Sequence, residues 1–131
     1  MPSGENNEPF SDAQVREISR ACNTASSESG LHYSVYIGAA EGDISDHAER
    51  LHAALGALAS RAVLVLVAAQ DRQLEIVTGK ESSRRLSDRA CALAALSMTT
   101  AFAGGDLVGG IVTGLRMLSE ASGRELTAGH H

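Results

Sequence analysis

Hydrophobic residues recur along this chain with two periods, and the switches between them outline seven elements. Val15, Ile18, Cys22 and Ala25 fall on one helical stripe. Ahead of it, Ser11 and Gln14 match a capping box, and Phe10 and Val15 are placed as a hydrophobic staple. This helix is expected to end between Ser26 and Gly30. Leu31, Tyr33, Val35 and Ile37 then alternate with His32, Ser34 and Tyr36, the period of a strand with unequal faces. After a loop over Gly38 to Ser45, a second helix is expected to turn Ala48, Leu51, Leu55 and Leu58 inward. Asp43 or Ser45 caps it, and Asp46 favours its positive end.

The run Ala62 to Ala69, AVLVLVAA, is apolar on both faces, as a central strand covered by helices on each side should be. Gln70 to Arg72 makes a tight turn, and Leu74 to Thr78 pairs back with Leu74, Ile76 and Thr78 on one face. A third helix from Ser87 to Ala103 is rich in Ala and Leu and is therefore expected to be largely buried. Gly104 and Gly105 stop it, and Asp106 caps a fourth helix running to about Ala121. The order is α-β-α-β-β-α-α. A right-handed crossover through the second helix makes the first two strands parallel, with the third antiparallel beside the second. The expected fold class is α/β, a three-layer α/β/α sandwich whose small mixed sheet centres on a β-hairpin. One domain, residues 10–122, is expected between two disordered tails, 1–9 and 123–131. The closing His130 and His131 carry no functional weight.

Composition narrows the partners. At 131 residues the chain can bury one core, and 3% aromatics without tryptophan leaves no base-stacking platform. A net charge of −5 argues against nucleic acid and acidic membranes. Cys22 and Cys91 have no CxxC or His partner nearby and read as small buried hydrophobes. No apolar run approaches the roughly 18 residues that span a bilayer, and Met1 to Pro9 shows no leader pattern. A soluble, cytoplasmic protein is expected, free or on the cytoplasmic face of a membrane complex.

The stretch AVLVLVAAQDRQLEIVTGKE, followed by RRLSD, an Ala-rich helix, AFAGGD and a Gly-rich helix, resembles the TPM domain. That family includes thylakoid-lumen proteins of photosystem repair and bacterial membrane-associated relatives. Asp71-Arg72 matches its hairpin turn, and Gly79 and Glu81 match the end of its G-x-G-x-E, with Val77 in place of the first glycine. Leu86-Ser87-Asp88 matches L-T-D, Gly105-Asp106 matches a later GD, and Ile44 to Leu51 resembles the opening of the second helix. The likeness covers residues 10–121 and is greatest to short actinobacterial versions without an assigned function. It implies, for some members, calcium binding or phosphate-ester hydrolysis in an acidic pocket at one end of the sheet. The pocket combines an acidic D-N-G before the central strand, the Glu after the hairpin and the Asp opening the third helix.

Here the D-N-G position reads Ser60-Arg61-Ala62, and Lys80, Arg84 and Arg85 add positive charge near the same end. Glu81 and Asp88 remain as candidate metal ligands for calcium. Calcium takes six to eight oxygens, so losing one carboxylate matters. Ion pairing and helix capping by Glu81 and Asp88 are the expected alternative, and an anion site at Arg61 and Arg84 is another. Glu41, Asp43 and Asp46 lack the pattern of a calcium loop and read as capping residues. His32, His47 and His52 read as partly exposed packing residues; His47 and His52, five apart, face different ways. Gly109, Gly110 and Gly114, inside the fourth helix, suggest close approach of a neighbouring backbone. No nucleophile constellation is visible. The functional expectation is a non-catalytic interaction module with a protein partner. A calcium-dependent phosphatase and an anion- or small-ligand-binding domain are the alternatives.

Overall fold

The structure is a computed structural model that describes residues 11–129, with side chains as far as 123. The staple residue Phe10 and the expected tail 1–9 lie outside the described residues.

Helix α1, Asp12–Ser29, starts on the expected capping box: Ser11 Oγ accepts from Gln14 N–H, and Gln14 Oε1 accepts from Ser11 N–H at 2.8 Å. It stops at Gly30, whose φ of 81° only glycine adopts without strain. Serines stitch this end to the sheet. Ser29 Oγ donates to Ala25 O and accepts from Leu31 N–H, while Ser26 Oγ accepts from Tyr33 N–H.

Strand β1, His32–Ile37, leads through a loop to α2, Ile44–Ala53, capped by Asp43. A 3-10 turn, Gly56–Arg61, feeds β2, Ala62–Ala68, and a second, Ala69–Asp71, turns the chain into β3, Gln73–Thr78. The sheet order is β1-β2-β3, with β1 parallel and β3 antiparallel to β2. This is the expected mixed sheet around a hairpin. One-turn α3, Ser82–Arg85, was not anticipated; α4, Asp88–Ala103, begins after its cap Ser87 as the sequence indicates. Helix α5, Leu107–Gly129, runs on past Ala121, so its backbone takes in most of the stretch expected as a tail.

Every residue of β2 is buried because both faces are covered. Val63, Val65 and Val67, with Leu74 and Ile76 of β3, pack beneath α1, α4 and α5. Leu64, Leu66 and Val77 pack beneath Ala48, Ile44 and Leu51 of α2. Each fully buried aliphatic side chain contributes about 1.5–3 kcal/mol, so this strand anchors three layers at once.

Two expectations need correction on the α2 side. Gly56, at φ 64°, breaks the helical path after Ala53, and Leu58 is therefore swung outward, 37% exposed. His47 and His52 are buried rather than partly exposed. His47 Nδ1 accepts the Glu41 N–H at 3.0 Å and its ring stands edge-on to Tyr36, contacts that burial of the imidazole requires. His52 Nε2 is buried without a partner.

Candidate functional site

The hairpin brings the sequence-predicted residues to one end of the sheet, since the start of β2 lies beside the end of β3. Backbone bonds close that end. Glu81 N–H donates to Ser60 O at 2.8 Å, and Ser82 Oγ donates to Ala62 O while accepting from Gly79 N–H, each at 2.8 Å. Gly79 makes this possible: a Cβ there would stand 2.0 Å from Ala59 O and 2.5 Å from Ser60 O. Its match to the motif glycine thus has a local cause, the approach of two backbones.

The side chains at this end do not form the expected ion pairs. Ser60, Arg61, Glu81, Arg84 and Asp88 are all exposed, and none has a side-chain hydrogen bond or ion pair among the described residues. Ser87, not Asp88, caps α4, by accepting from Ala90 N–H at 3.0 Å. Glu81 holds the N-cap position of α3 without a capping bond. Among the described residues no group of three or more His, Cys, Asp or Glu side chains gathers to hold a metal. Asp43 Oδ2 accepts from Asp46 N–H, which gives the second acidic cluster its capping role.

Arg85 departs from its neighbours and turns inward, a placement the sequence did not reveal. Its guanidinium donates to Ser29 O at the end of α1 and to Ser122 O of α5, with Nε buried and unpartnered. Beside it, Ser122 Oγ donates to Ser119 O, so Tyr33 O–H is the donor in the 3.0 Å bond to Ser122 Oγ. This polar node ties β1, α1, α3 and α5 together. Its only trace in the sequence is serine where a helical stripe would call for an apolar residue.

A different surface stands out on α4. Its inner face, Ala94, Met98 and Phe102, is buried against α5 and β3. There α5 comes close: a Cβ on Gly110 would lie 2.7 Å from Ala101 Cβ, and one on Gly114 2.2 Å from Met98 Cε. A Cβ on Gly110 would also stand 3.3 Å from Met98 O, the backbone approach that was expected, whereas Gly114 makes room for the Met98 side chain and Gly109 faces the carboxylate of Asp106, the side chain capping α5. The outer face of α4 carries Arg89, Ala92, Leu93, Leu96, Thr100 and Ala103, all exposed. Leu93 is 49% and Leu96 62% exposed, which corrects the expectation of a largely buried helix. Elsewhere, a groove of about 360 Å³ runs between Ala21, Thr24 and Glu28 of α1 and Val112, Arg116 and Glu120 of α5. No helix among the described residues is long and apolar enough to cross a membrane.

Residues 2–119 match the family model DUF5130, a domain of unknown function. The chain belongs to the DUF5130 family. Among solved structures, the BA42 protein of the psychrophilic bacterium Bizionia argentinensis is similar, with a TM-score of 0.79 and 21% identity over 89% of this chain and 83% of that one. The N-terminal domain of the cg2496 protein of Corynebacterium glutamicum gives a TM-score of 0.68 and 18% identity over 88% and 73%. At such identities the likeness is one of fold. No curated protein matches. Neither the DUF5130 description nor these two structures bears the TPM name, so that resemblance rests on the motifs alone.

The nucleophilic side chains of this DUF5130 domain that burial perturbs are held protonated. Burial pushes the Cys22 thiol up to about 11, against a weaker lowering hydrogen bond from the Val35 backbone. Burial also raises Cys91, helped by the nearby Asp88 carboxylate. The Tyr33 phenol is raised by burial too, although hydrogen bonds with Ser122 and Ser29 and the Arg85 cation oppose it. Thiols and phenols so placed resist forming the anion that attacks a substrate.

Proposed function

We propose that this DUF5130 domain is a non-catalytic protein-interaction module whose docking surface is the outer face of α4, where it receives an apolar helix of a protein partner. The observation that carries this reading is the exposure of Leu93 and Leu96, one turn apart, on a helix whose charged residues, Asp88 and Arg89, are confined to its first turn. A helix apolar around its whole circumference is ordinarily buried on all sides. Covering the exposed part of each leucine is worth about 1 kcal/mol. The calcium-dependent phosphatase and anion-binding readings draw on the TPM resemblance and on charge. Glu81 and Asp88 have no third ligand beside them among the described residues, and Arg61 and Arg84 converge on no buried polar group.

The test is site-specific photo-crosslinking in cells that make the full chain. With p-benzoylphenylalanine at position 96, a discrete adduct is expected that disappears on adding Leu93→Glu. The same probe at the exposed position 113 of α5 should give none. Equal adducts at both positions, or none at position 96, would overturn the reading.

A further inference from the structure

We infer that the groove between α1 and α5 is a binding site for a small zwitterion, a molecule whose ammonium and carboxylate lie about one helical turn apart. The groove exists because small residues meet there, Ala21 and Ala25 of α1 and Ser119 of α5. Its volume of about 360 Å³ lies at the lower end of the roughly 300–1,000 Å³ of ordinary ligand sites, which suits a small molecule. Ser119 lines this groove and is only 4% exposed, yet its hydroxyl has no hydrogen-bond partner among the described residues. The other buried serines, Ser29, Ser82 and Ser122, all hydrogen-bond. Buried polar groups are rarely left unpaired, and a polar ligand atom in the groove supplies the missing partner.

The walls carry three charges, and their order along the groove defines the ligand. Arg85 holds Ser29 O and Ser122 O together, which fixes the register of α1 on α5. The groove is lined by residues that precede Ser29 on α1 and Ser122 on α5, so the two helices run in the same direction. Glu28 and Glu120 therefore stand at one level on opposite walls, with Arg116 one turn, roughly 6 Å, away along the groove. None of the three has an ion pair among the described residues. Glu28 also lies in the last turn of α1, where the helix dipole disfavours a carboxylate. A cation between Glu28 and Glu120 relieves that repulsion, and the Arg116 guanidinium has the fork geometry that receives a carboxylate. Ala21 and Ala25 beneath give an apolar floor for the methylenes joining the two charged ends. A simple anion would face two carboxylates, and a simple cation would leave Arg116 unused. A zwitterion satisfies all three.

Titration of the full chain with 4-aminobutyrate, followed by amide NMR shifts, tests this. Shifts that saturate below about 50 mM are expected at Ala25 and Ser119. Butylammonium and butyrate each lack one charge, and free glycine carries its two charges side by side. All three should bind at least about threefold more weakly. Arg116→Gln should reduce 4-aminobutyrate to the affinity of butylammonium, and Glu120→Gln should bring it towards that of butyrate. Both side chains are exposed, so each variant should keep the thermal melt of the parent chain. Ser119→Ala should weaken 4-aminobutyrate while preserving the order among the probes. Shifts that stay linear to about 50 mM overturn the inference, as does equal affinity for 4-aminobutyrate, butylammonium and butyrate. Saturable shifts centred on the hairpin end or on α4 overturn it as well. The groove shares no residue with the outer face of α4, so the interaction reading stands or falls separately.

Discussion

The end of the sheet where the hairpin opens and the outer face of α4 make opposite use of their residues. At the hairpin end, charged side chains point to water while the backbone is locked: Glu81 to Ser60, Gly79 to Ser82, Ser82 to Ala62. On α4 the backbone bonds run within the helix and its caps, and leucine side chains are left facing outward. Motif-like residues therefore mark a structural closure, and an unremarkable apolar helix marks the surface with free energy still to gain. Gly79 would be called functional from its motif. Its neighbours show that it is there because no Cβ fits.

The contrast can be broken most severely at Gly79. Gly79→Ala drives a Cβ into two carbonyl oxygens of the backbone and should cost about 3 kcal/mol or more, read by urea denaturation. Ser82→Ala, which strips partners from Gly79 N–H and Ala62 O, should cost about 2 kcal/mol in the same assay. A loss near zero for either would mean that the hairpin end is not locked as described.

A smaller effect probes the closed interior between α1 and β1. An unfolded thiol ionises near 9.0, whereas folded Cys22 does so only at about 11, so folding favours the protonated form. The stabilisation this brings is complete below pH 9 and is lost as pH rises towards 11. The melting temperature should fall across that window, and Cys22→Ala should flatten the fall. An unchanged slope in the variant would assign the alkaline loss to another group.

The smallest expected stability effects lie on the exposed side chains of both regions. Glu81→Gln and Leu96→Glu should each leave stability within about 0.5 kcal/mol of the parent chain. They should differ in association, which only Leu96→Glu weakens. A calcium titration followed by NMR sharpens the comparison. Saturable shifts confined to Glu81 and Asp88 would return chemistry to the hairpin end, whereas silence there leaves α4 as the surface to pursue.

Much of the fold is legible in local pattern. The capping box of Ser11 and Gln14, the doubly apolar run of β2, the cap at Ser87 and the stop at Gly104 each depend on residues within a few positions of one another. The candidate site was legible only as a neighbourhood. The matching of Ser60 with Glu81 follows from hairpin topology, but whether Arg84 pairs with Glu81 depends on rotamers and distances that spacing does not carry. Arg85 differs from Arg84 by one position, yet it is drawn inward because carbonyls of α1 and α5 happen to converge there.

Sequence periodicity was enough to specify the layers, the strand order and the hairpin, because hydrogen-bond closure and alternation of side chains act over short range. Tertiary packing decided the rest. His47 is buried because the loop at Glu41 offers an N–H and Tyr36 a ring, and Leu58 is exposed because Gly56 ends α2. Leu93 and Leu96 are left open because, among the described residues, the elements that pack most extensively on α4 (α5 and β3) lie against its other face. Whether an apolar residue is covered depends on which elements surround it, and those neighbours lie far away along the chain.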